Sequence, residues 1–247
     1  MAIKRFKCVC SYDGHNYAGW QRQDNALGIQ EVIEDILTSK TKQNITIVSS
    51  GRTDALVHAY AQVFHFDSEF YLKATDYQRI LNSFLPKDIY ISEVEEVDLD
   101  FHARFSAISK EYVYKINLDT YNPFYANYML QSKFTYDLDL MKECSKVFIG
   151  EHDFSSFCSN NFNTHPDQVR NISKIEFKII DSILEIEFIG NGFLRYMVRM
   201  IVAAILEVGR KRITIREVEE MLEAKDKNAF KLNSPANGLY LKKVNYK

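Results

Sequence analysis

The chain alternates between two kinds of hydrophobic pattern. Apolar residues that alternate with polar ones are typical of a half-buried strand, whereas apolar residues spaced by three or four positions are typical of an amphipathic helix. In the first half the pattern predicts a strand through Phe6, Cys8, Cys10 and Tyr12, a helix through Ile29, Val32, Ile33, Ile36 and Leu37, strands at 45–49 and 59–66, a helix through Tyr77, Ile80, Leu81 and Phe84, and a strand at 89–94. Pro86 ends the second helix.

The same order of elements recurs in the second half. The predicted elements are a strand at 112–116, a helix at 138–149, strands at 175–180 and 183–189, an apolar helix at 193–208, an amphipathic helix through Ile215, Val218, Met221 and Leu222, and a strand at 240–244. Two successive β-α-β-β-α-β units predict an α+β fold made of two ferredoxin-like, split βαβ halves with antiparallel sheets. We place the halves at 1–106 and 107–247 and expect the ligand site in a cleft between them.

Composition places the chain among ordinary globular proteins. It has 247 residues, of which 46% are hydrophobic and 26% are charged. The most apolar window, 193–208, is short for a membrane span and contains Arg195 and Arg199. We find no signal peptide and expect a cytoplasmic protein without a membrane partner. The net charge of −2 means that any RNA contact must come from a localised basic groove.

The cysteines give no sign of a metal site. Cys8, Cys10, Cys144 and Cys158 form neither a Cys-x-x-Cys pair nor the framework of a small secreted domain. Ligands of structural zinc usually come in close pairs. We therefore expect buried, reduced thiols and no metal.

The segment 49–59 has the most side chains that could take part in catalysis. In it Gly51-Arg52-Thr53-Asp54 follows a β-branched run, so a cation and a carboxylate share one tight turn at the end of a strand. A carboxylate beside an arginine suits a nucleophile or a general base. The structural alternative is a turn that Asp54 closes and Arg52 clamps.

Two arginines in an apolar segment form a second candidate. Arg195 and Arg199 are four residues apart, hence on one face of the predicted helix. A guanidinium in an apolar interior needs an anion, which could be Asp54 or an RNA phosphate. The alternative is that each arginine extends to the surface or caps a loop.

A third candidate segment follows at 100–114. Tyr112 and Tyr114 lie on one face of a predicted strand, where a tyrosine ring could support an unstacked base. For Tyr114 we favour an ordinary place in the core.

Taken together, the motifs resemble those of the tRNA pseudouridine synthase A family along almost the whole chain. Five motifs match in chain order. The first comprises Tyr12-Asp13-Gly14 and 17–23, and the second comprises 51–55 and Val57-His58; the other three comprise 101–105 and 112–114, then 152–157 and 170–172, and finally 192–194, 197–199 and 238–240.

This resemblance implies isomerisation of uridine to pseudouridine, most directly in the anticodon stem-loop of tRNA. By the same resemblance, Asp54 is the essential carboxylate and Arg199 pairs with it. Arg52 inserts where the target nucleotide leaves the stack, and Tyr112 packs against the extruded base. The resemblance also implies no organic cofactor and a homodimer. Further RNA-binding candidates from the matched motifs and arginines are Arg22, His58, Arg104, Arg170 and Arg195.

The sequence leaves the mechanism and two other functions open. Asp54 could add covalently to the sugar or base, or take a proton from the ribose to give a glycal. The same chemistry could act on another tRNA uridine or on a ribosomal RNA uridine. The protein could also bind RNA without catalysis. A carboxylate-dependent hydrolase is disfavoured because no second acid lies in a motif.

Two positions depart from the family pattern. Leu56 stands where the family has glycine, and leucine at positive φ costs roughly 1–2 kcal/mol, so we expect either a changed turn or a side chain that lines the pocket. Ala203 replaces a glycine in the apolar helix and should alter packing slightly.

Overall fold

The computed structural model describes residues 3–70, 72–160 and 166–247. Within these ranges the chain is a mixture of mostly antiparallel strands and five α-helices, consistent with the α+β class. It divides into two compact units, unit 1 with residues 1–108 and 240–247, and unit 2 with residues 109–239. The final strand thus lies in unit 1, whereas our division after residue 106 assigned it to the second half.

Unit 1 consists of a sheet with two helices. Its elements are β1 (Lys4–Tyr12), α1 (Ile29–Thr41), β2 (Val48–Ser49), β3 (His58–Ser68), α2 (Ala74–Phe84), β4 (Ile89–Val97) and the last strand of the chain, β10 (Leu239–Tyr246). Strand β1 pairs antiparallel with β3 and β4, and β2 pairs antiparallel with β3. Strand β10 pairs parallel with β3, with Tyr240 opposite His58.

The core of unit 1 follows the predicted alternation. Every second residue of β1 from Phe6 to Tyr12 is buried. Tyr77 of α2 packs on Phe6 and Phe66, with ring centroids 4.7 and 5.1 Å apart. These apolar contacts fix α2 against the sheet.

Strand β2 is shorter than the predicted strand at 45–49. Ile45 and Ile47 are buried as expected, but the backbone N–H of Ile45 donates to Thr38 Oγ1 and that of Ile47 donates to Glu34 Oε1. Side chains of α1 therefore replace a sheet partner for this segment.

The described residues of unit 2 contain five strands and three α-helices. Its elements are β5 (Ala107–Asn117), β6 (Leu130–Gln131), α3 (Leu138–Ser145), β7 (Gly150–Asp153), β8 (Val169–Ile180), β9 (Ile183–Gly190), α4 (Met197–Gly209) and α5 (Ile215–Ala224). Strands β5, β9, β8 and β7 are antiparallel neighbours in that order, and β6 pairs parallel with β5.

Two helix boundaries in unit 2 differ from the prediction. Helix α3 ends at Ser145 and continues as one 3₁₀ turn to Phe148, and the short strand β7 follows. Helix α4 begins at Met197 and not at 193, because Tyr196 has a left-handed backbone (φ 65°) that cannot belong to a right-handed helix. Arg195 consequently precedes the helix.

Candidate active site

The loop that carries Asp54 is fixed to the neighbouring strand β3. Gln62 of β3 is fully buried; its Oε1 accepts from Ser50 Oγ at 2.7 Å and its Nε2 donates to the Gly51 carbonyl at 2.9 Å. The Ser50 N–H donates to the Val63 carbonyl at 2.7 Å. Because one buried amide holds two consecutive residues, Ser50 and Gly51, the start of the loop has little freedom.

A second turn supports the loop from the other side. Tyr12 Oη lies 2.8 Å from Thr53 Oγ1, and the Trp20 N–H donates to the Thr53 carbonyl at 3.1 Å. Gly19 has φ 98°, and a Cβ there would lie 2.6 Å from the Thr53 carbonyl oxygen. Only glycine allows this approach, which explains the Gly19-Trp20 part of the motif.

Asp54 itself is half-buried at the start of a turn. The Val57 N–H donates to the Asp54 carbonyl at 3.2 Å, and Leu56 occupies the third position of the turn with φ 67°. The turn therefore holds Leu56 at a positive φ, a conformation that glycine favours. The Leu56 side chain is 41% exposed.

Arg52 is exposed two residues before the carboxylate. Within the described parts of the chain, no hydrogen bond or ion pair engages its guanidinium. The structural alternative, in which Arg52 clamps the turn, is therefore not what the structure contains. Its five N–H donors are available to a ligand.

His58, a candidate for RNA contact, is only 2% exposed and acts as a support for the loop. Its Nδ1 accepts the Gly14 N–H at 3.1 Å, and Asp13 Oδ1 lies 3.1 Å from the same nitrogen. One ring nitrogen cannot accept and donate at once; the Gly14 N–H is directed at Nδ1, so this nitrogen is the acceptor. The ring stacks on Tyr240 at 4.6 Å.

The two tyrosines of β5 differ in environment. Tyr112 is 9% exposed, and Phe193 meets its ring edge to face at 5.2 Å. Tyr114 is fully buried, its hydroxyl donates to the Pro235 carbonyl at 2.8 Å, and burial raises its pKa. The prediction that Tyr114 is a core residue is confirmed.

Arg195 and Arg199 both lie near one aromatic ring. Each guanidinium carbon is 5.0 Å from the centroid of Tyr196, a residue that sequence reasoning missed. Arg199 is half-buried, and its Nε donates to the Ser234 carbonyl at 2.8 Å, whereas Arg195 is exposed. The left-handed backbone at Tyr196 produces this arrangement, and no hydrophobic pattern could have indicated it.

The remaining candidate arginines have other partners. Arg22 forms ion pairs with three carboxylates of α1, Glu31, Glu34 and Asp35, at 3.2 to 3.6 Å. Arg170 of β8 lies 3.4 Å from Asp167. Arg104 is exposed beside the Phe105 ring, with its guanidinium carbon 5.8 Å from the centroid.

Among the described residues, the thiols, imidazoles and acids form no metal site. In the described ranges, no cluster of three or more His, Cys, Asp or Glu side chains could hold a metal ion. The four cysteines are free and buried, and burial raises the pKa of Cys144 to about 12. No helix in the same ranges has the length and apolarity to cross a membrane.

Comparison of the sequence with known proteins identifies the family. A sequence profile described as tRNA pseudouridine synthase matches residues 9–106 and 145–247. The chain therefore belongs to the tRNA pseudouridine synthase family, and it is an isomerase that converts uridine to pseudouridine in tRNA.

Individual relatives carry a more specific name. The chain is 43% identical to tRNA pseudouridine synthase A of Geobacillus sp. (strain WCH70) over 245 residues, covering 98% of both proteins. It is 42% identical to that of Bacillus pumilus (strain SAFR-032), covering 98% of this chain and 99% of the relative. For Listeria monocytogenes serotype 4b (strain CLIP80459) the identity is 41%, over 99% of this chain and the whole relative.

Proposed function

We propose that Asp54 is the catalytic carboxylate of this isomerase and that its targets are uridines of the tRNA anticodon stem-loop. The observation that carries the proposal is the fixation of its loop by Gln62, Tyr12 and Trp20, with Arg52 left exposed beside it. A rigid loop holds a reacting group in one position, which is what catalysis by positioning requires.

The reaction requires three events at one base. The bond from the ribose to N1 breaks, the uracil turns, and a new bond forms to C5, which then loses its proton while N1 gains one. The net composition does not change. Asp54 acts in its ionised form, either by covalent addition or by removal of a ribose proton to give a glycal.

Three other side chains serve the base in this proposal. Arg52 enters the space that the everted nucleotide leaves, since a planar cation can offset part of the unstacking cost of a few kcal/mol. Tyr112 packs against the everted base, and Arg199 pairs with the Asp54 carboxylate. The fixed ring of Tyr112 and the anchoring of Arg199 by Ser234 support these roles.

We propose further contacts to the RNA backbone from Arg104, Arg170 and Arg195. Arg104 and Arg195 are exposed, so their charges can reach phosphates at little cost. Arg22 would have to exchange its carboxylate partners for phosphate. The burial of His58 favours an indirect role, in which it positions the loop after Asp54.

We further propose that the two units have ferredoxin-like topology. In unit 1 the antiparallel order β4-β1-β3-β2 supports this, because it is the order that a split βαβ arrangement produces. We also propose that the protein is a homodimer and that it acts in the cytoplasm. Sedimentation measures its association state.

The decisive experiment replaces Asp54 by asparagine, which keeps the size of the side chain and removes its charge. We expect D54N to retain wild-type unfolding behaviour and tRNA binding, and to form no pseudouridine in a tritium-release assay on tRNA transcripts. Single-nucleotide mapping of pseudouridine in wild-type reactions identifies the target.

Two outcomes would contradict the proposal. Appreciable turnover by pure D54N would remove Asp54 from the chemistry, and tRNA binding without turnover by the wild type would favour the non-catalytic RNA-binding role. Replacing Asp139, an exposed carboxylate of α3, by asparagine is the control and should leave turnover intact.

A further inference from the structure

The loop at residues 98–106, here called the arginine loop, holds an apolar ring in solvent. Phe105 lies near its end and is 77% exposed. Single exposed apolar side chains are common on protein surfaces, so exposure alone indicates no function. The way in which the loop is held makes this phenylalanine different.

The backbone of the arginine loop is hydrogen-bonded at every N–H from Phe101 to Ser106. His102 organises the tip, because its Nδ1 accepts the N–H groups of Arg104 at 3.1 Å and Phe105 at 3.2 Å. Its carbonyl also accepts the Ser106 N–H at 2.8 Å. The N–H groups of Arg104 and Phe105 therefore converge on one ring nitrogen, which holds the backbone of the tip in a tight turn.

The loop is also anchored to the body of unit 1. The Ala103 N–H donates to His65 Nδ1 at 3.1 Å, and the Tyr246 hydroxyl donates to the Ala103 carbonyl at 2.7 Å. Arg5 Nη1 donates to the carbonyls of Leu99 and Phe101. The position of Phe105 is therefore set before any ligand binds.

The side chains at the tip form a small cationic and aromatic surface. The rings of His102 and Phe105 are 4.3 Å apart with planes inclined by 32°, so His102 covers one side of the phenylalanine. The Arg104 guanidinium is exposed, and no ion pair engages it within the described residues. An apolar face beside a free cation matches a nucleotide, whose base is flat and whose phosphate is negative.

We propose that Phe105 is a stacking platform for an unpaired nucleotide of the bound tRNA and that Arg104 binds the adjoining phosphate. The inference rests on the proposed function, because it takes tRNA as the substrate. It adds a base-binding position distinct from the Asp54 loop. A second protein molecule is the competing occupant; the unpaired guanidinium favours a polyanion over an apolar protein surface.

The test compares alanine and tryptophan at position 105. Base stacking on an aromatic side chain is worth about 1–3 kcal/mol, so F105A should weaken binding of tRNA by about 5- to 150-fold. F105W should bind as the wild type does. Trp20 is the single tryptophan of the chain and is 1% exposed, so bound tRNA should quench mainly the new, exposed indole in F105W.

The matched control is Phe124, which is 83% exposed but has no ring or cation neighbour among the described residues. F124A should bind tRNA as the wild type does, and F124W should not be quenched. For Arg104, the R104Q variant should lower the slope of log Kd against log salt concentration by about one.

Four results would contradict the proposal that Phe105 is a stacking platform. They are unchanged binding by F105A, equal losses in F105A and F124A, no quenching in F105W, or a change of oligomeric state in F105A that accounts for its weaker binding. Thermal unfolding of F105A must match the wild type, as expected for so exposed a side chain. Pseudouridine formation by the wild type is measured separately, so failure of the platform leaves the proposed function standing.

Discussion

Leu56 shows how one residue carries a conformational cost next to the candidate catalytic group. Its backbone is left-handed at a turn position where glycine is favoured, and its side chain is 41% exposed. Little apolar burial compensates for the strain. The surrounding turn, and not Leu56 itself, therefore determines the conformation that presents Asp54.

We predict that L56G raises the free energy of unfolding by about 0.5–1 kcal/mol. Relief of roughly 1–2 kcal/mol of strain should exceed the added entropy of a glycine in the unfolded chain. Urea denaturation measures the change. Leu99 is the control, since it is 56% exposed without a positive φ, and L99G should lower stability. A loss in L56G as large as in L99G would show that the leucine is not strained.

Among the elements, α5 depends on its first turn. Thr214 Oγ1 accepts the Glu217 N–H at 3.2 Å, and Glu217 Oε2 accepts the Thr214 N–H at 2.7 Å, which together form a capping box. The helix buries Val218 and Leu222. The cap therefore helps to hold this apolar face in place.

Removal of the cap should destabilise the protein measurably. We expect T214A to lower the free energy of unfolding by about 1 kcal/mol, because the Glu217 N–H loses its side-chain partner. T214S keeps the oxygen and should stay within a few tenths of a kcal/mol of the wild type. Chemical denaturation followed by circular dichroism checks both variants. Equal stability of T214A and T214S would show that the cap contributes nothing.

On the scale of the whole molecule, stability should respond to acid through His65. Burial is the main cause that lowers its pKa from 6.5 to about 4, with further contributions from Arg5 and His102. Between these values the unfolded chain binds a proton that the native protein excludes. The stabilising effect is therefore complete above pH 6.5 and is lost as the pH falls toward 4.

We predict that H65N reduces this acid sensitivity. Asparagine can still accept the Ala103 N–H but does not titrate. The wild type should lose more unfolding free energy than H65N between pH 7 and 5. Carboxylates with lowered pKa, such as Asp67, begin from an ordinary value of 3.8 and act mainly at lower pH. Parallel pH profiles for the two proteins would contradict the assignment.

Periodicity predicted most helices and strands because each of them buries one regular face. Phe6, Cys8 and Cys10 are buried at every second position of β1, and Val218 and Leu222 are buried four residues apart on one face of α5. The prediction failed where a non-local partner or an unusual backbone decided the outcome. Side chains of α1 took the N–H groups of residues 45 and 47, and a left-handed Tyr196 delayed α4.

The sequence predicted which side chains to consider for the candidate site, but not the contacts that hold them in place. The motif around Asp54 named the carboxylate and the arginine, since both lie within three residues of each other. Nothing in the order of residues indicated that Gln62 ties the loop or that Ser234 anchors Arg199. Such contacts join positions far apart in the chain, and only folding brings them together.

By itself, the sequence determined the type of each main element, the family and the residues available for chemistry, because these depend on local spacing and side-chain identity. Tertiary structure decided that Leu56 keeps a left-handed turn, that His58 is enclosed and that Phe105 stands in solvent. These outcomes depend on which groups satisfy the backbone and exclude water, and those groups come from other parts of the fold.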